Sequence, residues 1–501
     1  MNISIKNIKL TPHIILCVFL VTHVLLWSLL PLLREILPID AAECIIWGSY
    51  MDFGTNKHPP LAGWLAYWVY NIFKSDYSIY LLGQICIATG FVYIYKLGKI
   101  FLDDIKALFA VLLLETCYVY TYMGIYEGFN PNFILLALYP FLAYYFYKCL
   151  NEDNIKNWVF LGVGFGLGFI GKYQILMIFL SMLIYLIFTE TGRKQFKNKG
   201  LYISAIIALF IVLPHFMWMY NHDFFSLNYF KLCELQYTNH YFGWSEHIKA
   251  PVFFILNQIL TLITVLFIYF TAILFSNKKI CFNNNINNDK SKFLITVGIL
   301  PIILQTFPSI INGSYLVPQW GYCLLSLNTI LLFYFFPFEL SKKVIKYFAF
   351  WIVSAIFVSS FVLGYIFYTE KSFASRFPVE QVTKTLSEKY TKETGKPLKY
   401  IGGFIELTIP LELYNKDYIA VLNTYKYPNP WINTKDLKES GAIVIGRYQD
   451  LMRKYVRTTA PYYNEEFEIK DFYITVKNHL GKEKVYKMYY VIIPAIKNFT
   501  Q

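Results

Sequence analysis

Eleven apolar runs, each near the roughly 20 residues that cross a bilayer as a helix, constrain this chain more than any other feature. They lie at 13–33, 77–98, 107–125, 132–148, 157–171, 173–189, 201–219, 250–275, 293–311, 316–336 and 347–368. In hydrocarbon every backbone N–H and C=O must be satisfied within the protein, which a helix does by itself. The predicted fold is therefore a membrane all-α bundle of about 11 transmembrane helices. The break at Gly171-Lys172-Tyr173 follows from length, because one span does not use the whole stretch 157–189 without extreme tilt. Charge then divides the chain. Only 15% of residues are charged, against roughly 25% in soluble domains. Yet 21 of the 45 Lys and Arg and 15 of the 32 Asp and Glu follow Tyr368. Two domains are expected: a transmembrane domain over 1–368, with outer loops 34–76 and 220–249, and a C-terminal soluble mixed α/β domain over 369–501.

The net charge of +13 does not indicate a nucleic-acid partner. The basic residues collect in short loops between spans, as the positive-inside rule expects. Lys96, Lys99 and Lys106, then Lys148 and Lys156, then Arg193, Lys194, Lys197 and Lys199 fall on one side. So do Lys278, Lys279, Lys290 and Lys292, and Lys342, Lys343 and Lys346. The turns at 126–131 and 312–315 carry no Lys or Arg. An odd span count with a cytoplasmic N-terminus places the tail outside. None of the eight cysteines lies beyond Cys323 and no CxxC pair exists, which removes tail disulfides and zinc or redox clusters. The first run continues to Leu33 without a small-residue cleavage site, so it reads as a span and not a signal peptide. The tail has a helical stretch over Pro378–Thr394. Short β-type runs follow at Leu398–Phe404, Tyr418–Leu422, Ala442–Ile445, Phe472–Val476 and Val485–Ile493.

Chemistry concentrates in the first outer loop. Asp40 and Glu43 share a helical face at a spacing of three, and a carboxylate there suits deprotonation of an acceptor hydroxyl. The same spacing also reads as Asp40 capping a helix with Glu43 at its third position. Lys57-His58-Pro59-Pro60 presents two candidate cations on a stiff backbone, suited to a phosphate or simply a solvated turn. Lys172, flanked by Gly171 and Tyr173 between two spans, is a membrane lysine with a functional reading and a snorkelling one. Loop 220–249 also carries Lys231, Glu234, His240, Glu246 and His247.

Taken in order, Asp40-x-x-Glu43, Trp47-Gly48, Lys57-His58-Pro59-Pro60-Leu61 and Trp64 resemble the first loop of the bacterial protein-O-mannosyltransferase-like and aminoarabinose-transferase-like glycosyltransferases of the GT-C superfamily. Further matches follow in sequence. They are Asn130-Pro131-Asn132, Gly168-x-x-Gly171-Lys172-Tyr173, and Pro214-x-x-x-Trp218-x-x-Asn221-His222-Asp223-Phe224. In the tail they are Arg376-x-Pro378, Gly402-Gly403, Pro430-Trp431-Ile432 and Gly441-Ala442. The chain departs from the family in its acidic pair, split here as Asp40-Ala-Ala-Glu43 where other members carry adjacent Asp-Glu.

The resemblance implies a multi-pass bacterial inner-membrane enzyme with its site and C-terminal domain on the extracytoplasmic face. It implies an undecaprenyl-phosphate-linked sugar donor and a lipid, glycan or protein acceptor, with inversion at the sugar. Asp40 and Glu43 become the catalytic candidates, Asp40 first. Lys57, His58, Lys172 and Tyr173 become donor-phosphate candidates. Loop 220–249 and the tail are expected to shape the acceptor side, with His222, Asp223 and Arg376 as candidates. No metal site is assigned, and a divalent ion near Asp40, Glu43 and His58 stays open because spacing does not fix ligand geometry. A lipid-linked sugar flippase or transporter and an oligosaccharide ligase are the rival readings. The chain lacks the internal repeats common in transporters.

Overall fold

The computed structural model describes residues 3–5, 8–123, 126–227, 243–276, 282–415, 417–421 and 429–496. Lys231, Glu234, His240, Cys233, Cys281, Lys278, Lys279 and Leu422 lie outside them. The chain divides into two compact units. One comprises Met1–Leu30, Tyr80–Asn221 and Phe230–Val362, the other Pro31–Ile79, His222–Tyr229 and Leu363–Gln501.

Among its described residues the first unit is helical apart from two short strands at the N-terminus, in which Ile3–Ile5 pairs antiparallel with Ile8–Leu10. Among the described residues of the whole chain, five helices are long and apolar enough to cross a membrane: Pro12–Leu33, Asp76–Phe101, Pro131–Asn151, Lys199–Asn221 and Lys342–Thr369. Three bent pairs raise the number to eight: Ile175–Phe188 with Glu190–Lys197, Glu246–Thr261 with Ile263–Phe275, and Asp289–Gly298 with Leu300–Asn312. Ile155–Gly171 is a shorter apolar helix. Its end at Gly171 and the next helix at Ile175 realise the break expected around Lys172. Phe210, Phe357 and Phe361 stand exposed, as apolar side chains facing lipid do.

Besides runs 250–275 and 293–311, which are two of the bent pairs above, two more of the eleven apolar runs are not continuous helices. Run 107–125 is a helix to Leu112, a 3-10 turn over Leu113–Thr116 and a π turn over Val119–Met123. Run 316–336 is a 3-10 segment, Pro318–Leu325, followed by the helix Asn328–Phe335. Irregular backbone at membrane depth persists only where side chains satisfy it. In the first run, Thr264 Oγ1 donates to the Thr116 carbonyl at 2.6 Å. In the second, Gln258 Nε2 donates to the Pro318 carbonyl at 3.1 Å. Gly321 leaves room for that glutamine, since a Cβ there would lie 2.3 Å from its amide. Small residues also let helices close on each other: a Cβ on Gly162 would meet the Ser204 carbonyl at 2.5 Å.

The second unit holds the mixed α/β tail. Its five-stranded sheet runs Ile419–Val421, Tyr400–Gly403, Ala442–Gly446, Glu483–Ile493 and Lys470–Lys477. The first two pairings are parallel and the last two antiparallel. The helix Val379–Thr394 packs Val382, Leu386 and Tyr390 into the same core as Ile401, Ile443, Ile445, Ile474 and Met488. Ile36, from the first outer loop, is part of that core. The loop is also tied to the tail by polar contacts. Glu35 N donates to the Ser375 carbonyl at 2.9 Å, and Leu37 N to Tyr414 Oη at 2.8 Å, whose hydroxyl donates to Asp76 at 2.6 Å.

Tyr50 of the loop stacks on Trp431 with ring centroids 4.5 Å apart and donates to Glu412 Oε1 at 3.1 Å. Burial pushes the Glu412 carboxyl from the usual 4.5 up to about 7, against hydrogen bonds from Ala420 N and Tyr50 that lower it. A pKa raised on folding contributes stability that is whole below about 4.5 and is lost as pH rises through about 7. Glu412→Gln is therefore expected to flatten that slope in the intact protein and to raise its melting temperature above pH 7. The effect has a ceiling of roughly 3 kcal/mol from the size of the shift. Melting curves of both proteins across this pH range check it, and parallel curves would remove Glu412 from the account.

Candidate active site

In the second unit the helices Ile39–Ser49 and Leu61–Phe73 meet at two glycines. A Cβ on Gly48 would lie 2.0 Å from the Gly63 carbonyl, so only glycine permits the approach. The connection between them is folded on Thr55. Its hydroxyl oxygen accepts the N–H groups of Lys57 at 3.1 Å and His58 at 2.9 Å, and its O–H donates to the His58 carbonyl at 2.9 Å. This turn delivers Lys57 to the buried face of the first helix. Lys57 Nζ lies 2.6 Å from Glu43 Oε1 and 2.8 Å from Oε2. Glu43 is 1% exposed. Trp47, one turn further on, faces both Lys57 and His58: Lys57 Nζ is 5.9 Å from its ring and the His58 ring is 5.6 Å away, edge-on.

Burial raises the Glu43 carboxyl above its ordinary value, the Lys57 ammonium opposes this, and the Asp40 charge adds to it. Asp40 is exposed in the first turn of its helix. The helix is capped at Pro38 with no side-chain hydrogen bond, so Asp40 is not the N-cap and no capping box forms. The two carboxylates thus have different surroundings. Glu43 is dry and engaged by a lysine, whereas Asp40 is open to solvent beside them.

Lys172 and Tyr173 lie in the first unit. Lys172 caps the helix Ile155–Gly171 in an extended conformation and donates through Nζ to Asn132 Oδ1. Asn130 Oδ1 accepts the Asn132 N–H at 2.9 Å, and Asn130 Nδ2 donates to Glu127 Oε2 at 3.1 Å. A polar chain thus runs from Lys172 to Glu127. Glu127 was not among the candidates from sequence, although it is a carboxylate in a short turn free of Lys and Arg. Tyr173 Oη is 2.8 Å from Nε2 of the buried His215, a second residue that motif reading passed over.

The acceptor-side candidates are placed as follows. His222 and Asp223 follow the end of Lys199–Asn221. The His222 carbonyl accepts Phe225 N at 3.0 Å, and Asp223 and Phe224 have φ of 52° and 53°. Arg376 is 2% exposed. It pairs with Glu35 at 2.6 Å and donates to the carbonyls of Glu370, Leu33 and Phe367 at 3.2, 3.0 and 2.6 Å, which fastens the start of the tail to the loop. Among the described residues no three His, Cys, Asp or Glu side chains are grouped to hold a metal ion.

A many-helix bundle with candidate membrane spans, an acidic and basic first loop and a tail built on a mixed sheet make up the described structure. Residues 57–218 match the family described as dolichyl-phosphate-mannose-protein mannosyltransferase, which bears out the resemblance read from the first loop. The fold is that of ArnT from Cupriavidus metallidurans. The ArnT structure bound to undecaprenyl phosphate has a TM-score of 0.57 and 12% identity, over 95% of this chain and 97% of that one. Its apo state gives 0.59 and 10% over the same shares. Among curated relatives, the lipopolysaccharide core galacturonosyltransferase RgtA of Rhizobium johnstonii is 24% identical over 216 residues, or 43% of this chain. The lipid A galacturonosyltransferase RgtD of the same organism is 22% identical over 191 residues, or 37% of this chain. The matched stretches span only 42% and 39% of those relatives.

Proposed function

We propose that this protein transfers a single sugar from a polyprenyl-phosphate donor to an extracytoplasmic lipopolysaccharide acceptor, in the core or on lipid A. The observation that carries the reading is the buried Lys57–Glu43 pair with exposed Asp40 one helical turn away. An acceptor oxygen attacks the anomeric carbon, the bond from that carbon to the donor phosphate breaks, and polyprenyl phosphate leaves. Displacement from the opposite face inverts the anomeric centre. Asp40 takes the proton from an acceptor hydroxyl. Lys57, held by Glu43, offsets the charge growing on the leaving phosphate, with His58, Lys172 and Tyr173 assigned to the donor side. His222 and Asp223 are assigned to the acceptor side. Arg376, whose guanidinium is engaged by the loop and the tail, is a positioning residue.

The names of the relatives support lipopolysaccharide as acceptor and make galacturonic acid the first sugar to test. Mass spectrometry of lipid A and core from cells with and without the protein should differ by one glycosyl residue. Identical glycoforms would sink the reading. For the side, an impermeant thiol reagent should label a cysteine replacing Ser387 in spheroplasts of a strain lacking native cysteines in this chain. Labelling only after lysis would place the tail in the cytoplasm.

A further inference from the structure

The first unit carries a second basic and aromatic cluster that the transfer reaction does not use. A groove of ≈ 460 Å³ is walled by Leu16, Leu20, Val92 and Ile100 and rimmed by Tyr95, Lys96, Lys99, Tyr144 and Lys148. His13, also on the rim, sets its ring edge-on to Tyr95 at 5.4 Å. Lysines and tyrosines interleave. Lys96 Nζ is 4.7 Å from the Tyr93 ring and 5.9 Å from Tyr144, and Lys99 Nζ is 5.8 Å from Tyr95. Lys99 pairs with Asp104 and Lys148 with Glu152. Lys96 has no carboxylate partner among the described residues, and no Asp or Glu lines the groove.

A second observation points the same way. Tyr95 is 3% exposed, yet its hydroxyl has no hydrogen-bond partner. A buried donor left unmatched is costly, and here it lines the same groove as Lys96, a lysine whose contacts are ring faces. Both groups call for an anionic acceptor. The apolar walls are unsuited to a free ion and suited to hydrocarbon. These lysines also lie toward the helix ends that the charge rule assigns to the cytoplasmic side, where anionic headgroups are held by basic pockets between helices.

We propose that this groove binds one anionic glycerophospholipid, with its phosphate at Lys96 and Tyr95 and an acyl chain along Leu16, Leu20 and Val92. The test uses the full chain in nanodiscs of phosphatidylcholine containing phosphatidylglycerol, with bound lipid counted by native mass spectrometry. Phosphatidylglycerol should be retained in preference to phosphatidylcholine. Lys96→Gln should reduce its occupancy about fivefold, the weight of one basic residue near an anionic headgroup, while Lys343→Gln, an exposed change in the first turn of Lys342–Thr369, leaves it unchanged. Tyr95→Phe removes one oxygen and should also lower occupancy, so it carries the test if Lys96→Gln does not fold. No preference for the anionic lipid, or equal loss in Lys343→Gln, overturns the proposal. Displacement by polyprenyl phosphate at equal mole fraction would overturn it too, by assigning the groove to that lipid.

Discussion

Asp40→Asn is expected to express and melt like the parent protein and to lose of order 10²–10⁴ in turnover with a hydroxyl acceptor. The two expectations are separable because of where the helix begins. Its cap is Pro38, with no side-chain hydrogen bond, so no cap is lost on substitution. The remaining structural contribution is one carboxylate in the first turn facing the helix dipole, about 0.3–1 kcal/mol. A loss of rate far beyond a loss of stability therefore reports chemistry. The acceptor sets the size of the effect, since a phosphate acceptor is already ionised and dispenses with the base. Steady-state transfer from a purified polyprenyl-phosphate sugar, at matched folding, measures it. If Asp40→Asn keeps parental turnover with a hydroxyl acceptor while Glu43→Gln is inactive, the two carboxylates exchange roles. If both keep it, the first-loop mechanism fails.

Lys57→Met is expected to damage both stability and activity. Removing one partner of a buried ion pair costs about 3–5 kcal/mol, because the other charge is left without compensation. Glu43 is buried and its carboxyl is already held above the ordinary range, so without Lys57 its charge stands unpaired in a dry setting. The double variant Lys57→Met/Glu43→Gln removes the stranded charge and should recover most of the melting temperature. Activity should stay down about tenfold or more at fixed donor, the worth of one charge-assisted hydrogen bond to phosphate. Recovery of activity together with stability in the double variant would show that Lys57 only holds the loop and has no contact with the donor.

Much of the architecture was written in local pattern. The strands Tyr400–Gly403, Ala442–Gly446 and Glu483–Ile493 and the helix Val379–Thr394 fall where β-branched alternation and a starting proline put them. The lone charge at Lys172 marked a real helix end. Hydropathy overstated regularity at 107–125 and 316–336, because it counts apolar side chains and is blind to backbone hydrogen bonds that distant groups satisfy. Gln258 and Thr264 lie far along the chain from the breaks they support.

The order of charged residues in the first loop, read alone, carried the family resemblance and drew together the proposed site residues, since Asp40, Glu43, Lys57 and His58 are close in sequence. Their different surroundings came from tertiary structure. The Gly48–Gly63 crossing and the Thr55 turn bury Lys57 against Glu43 and leave Asp40 in solvent. Identical spacing without that crossing would leave both carboxylates equivalent. The joining of loop and tail in one unit was likewise invisible, because it rests on Ile36 in the sheet's core and on Arg376 reaching Glu35 and Leu33 across more than three hundred residues. Local propensity extends over a few residues, whereas a buried guanidinium is placed only by the whole fold that surrounds it.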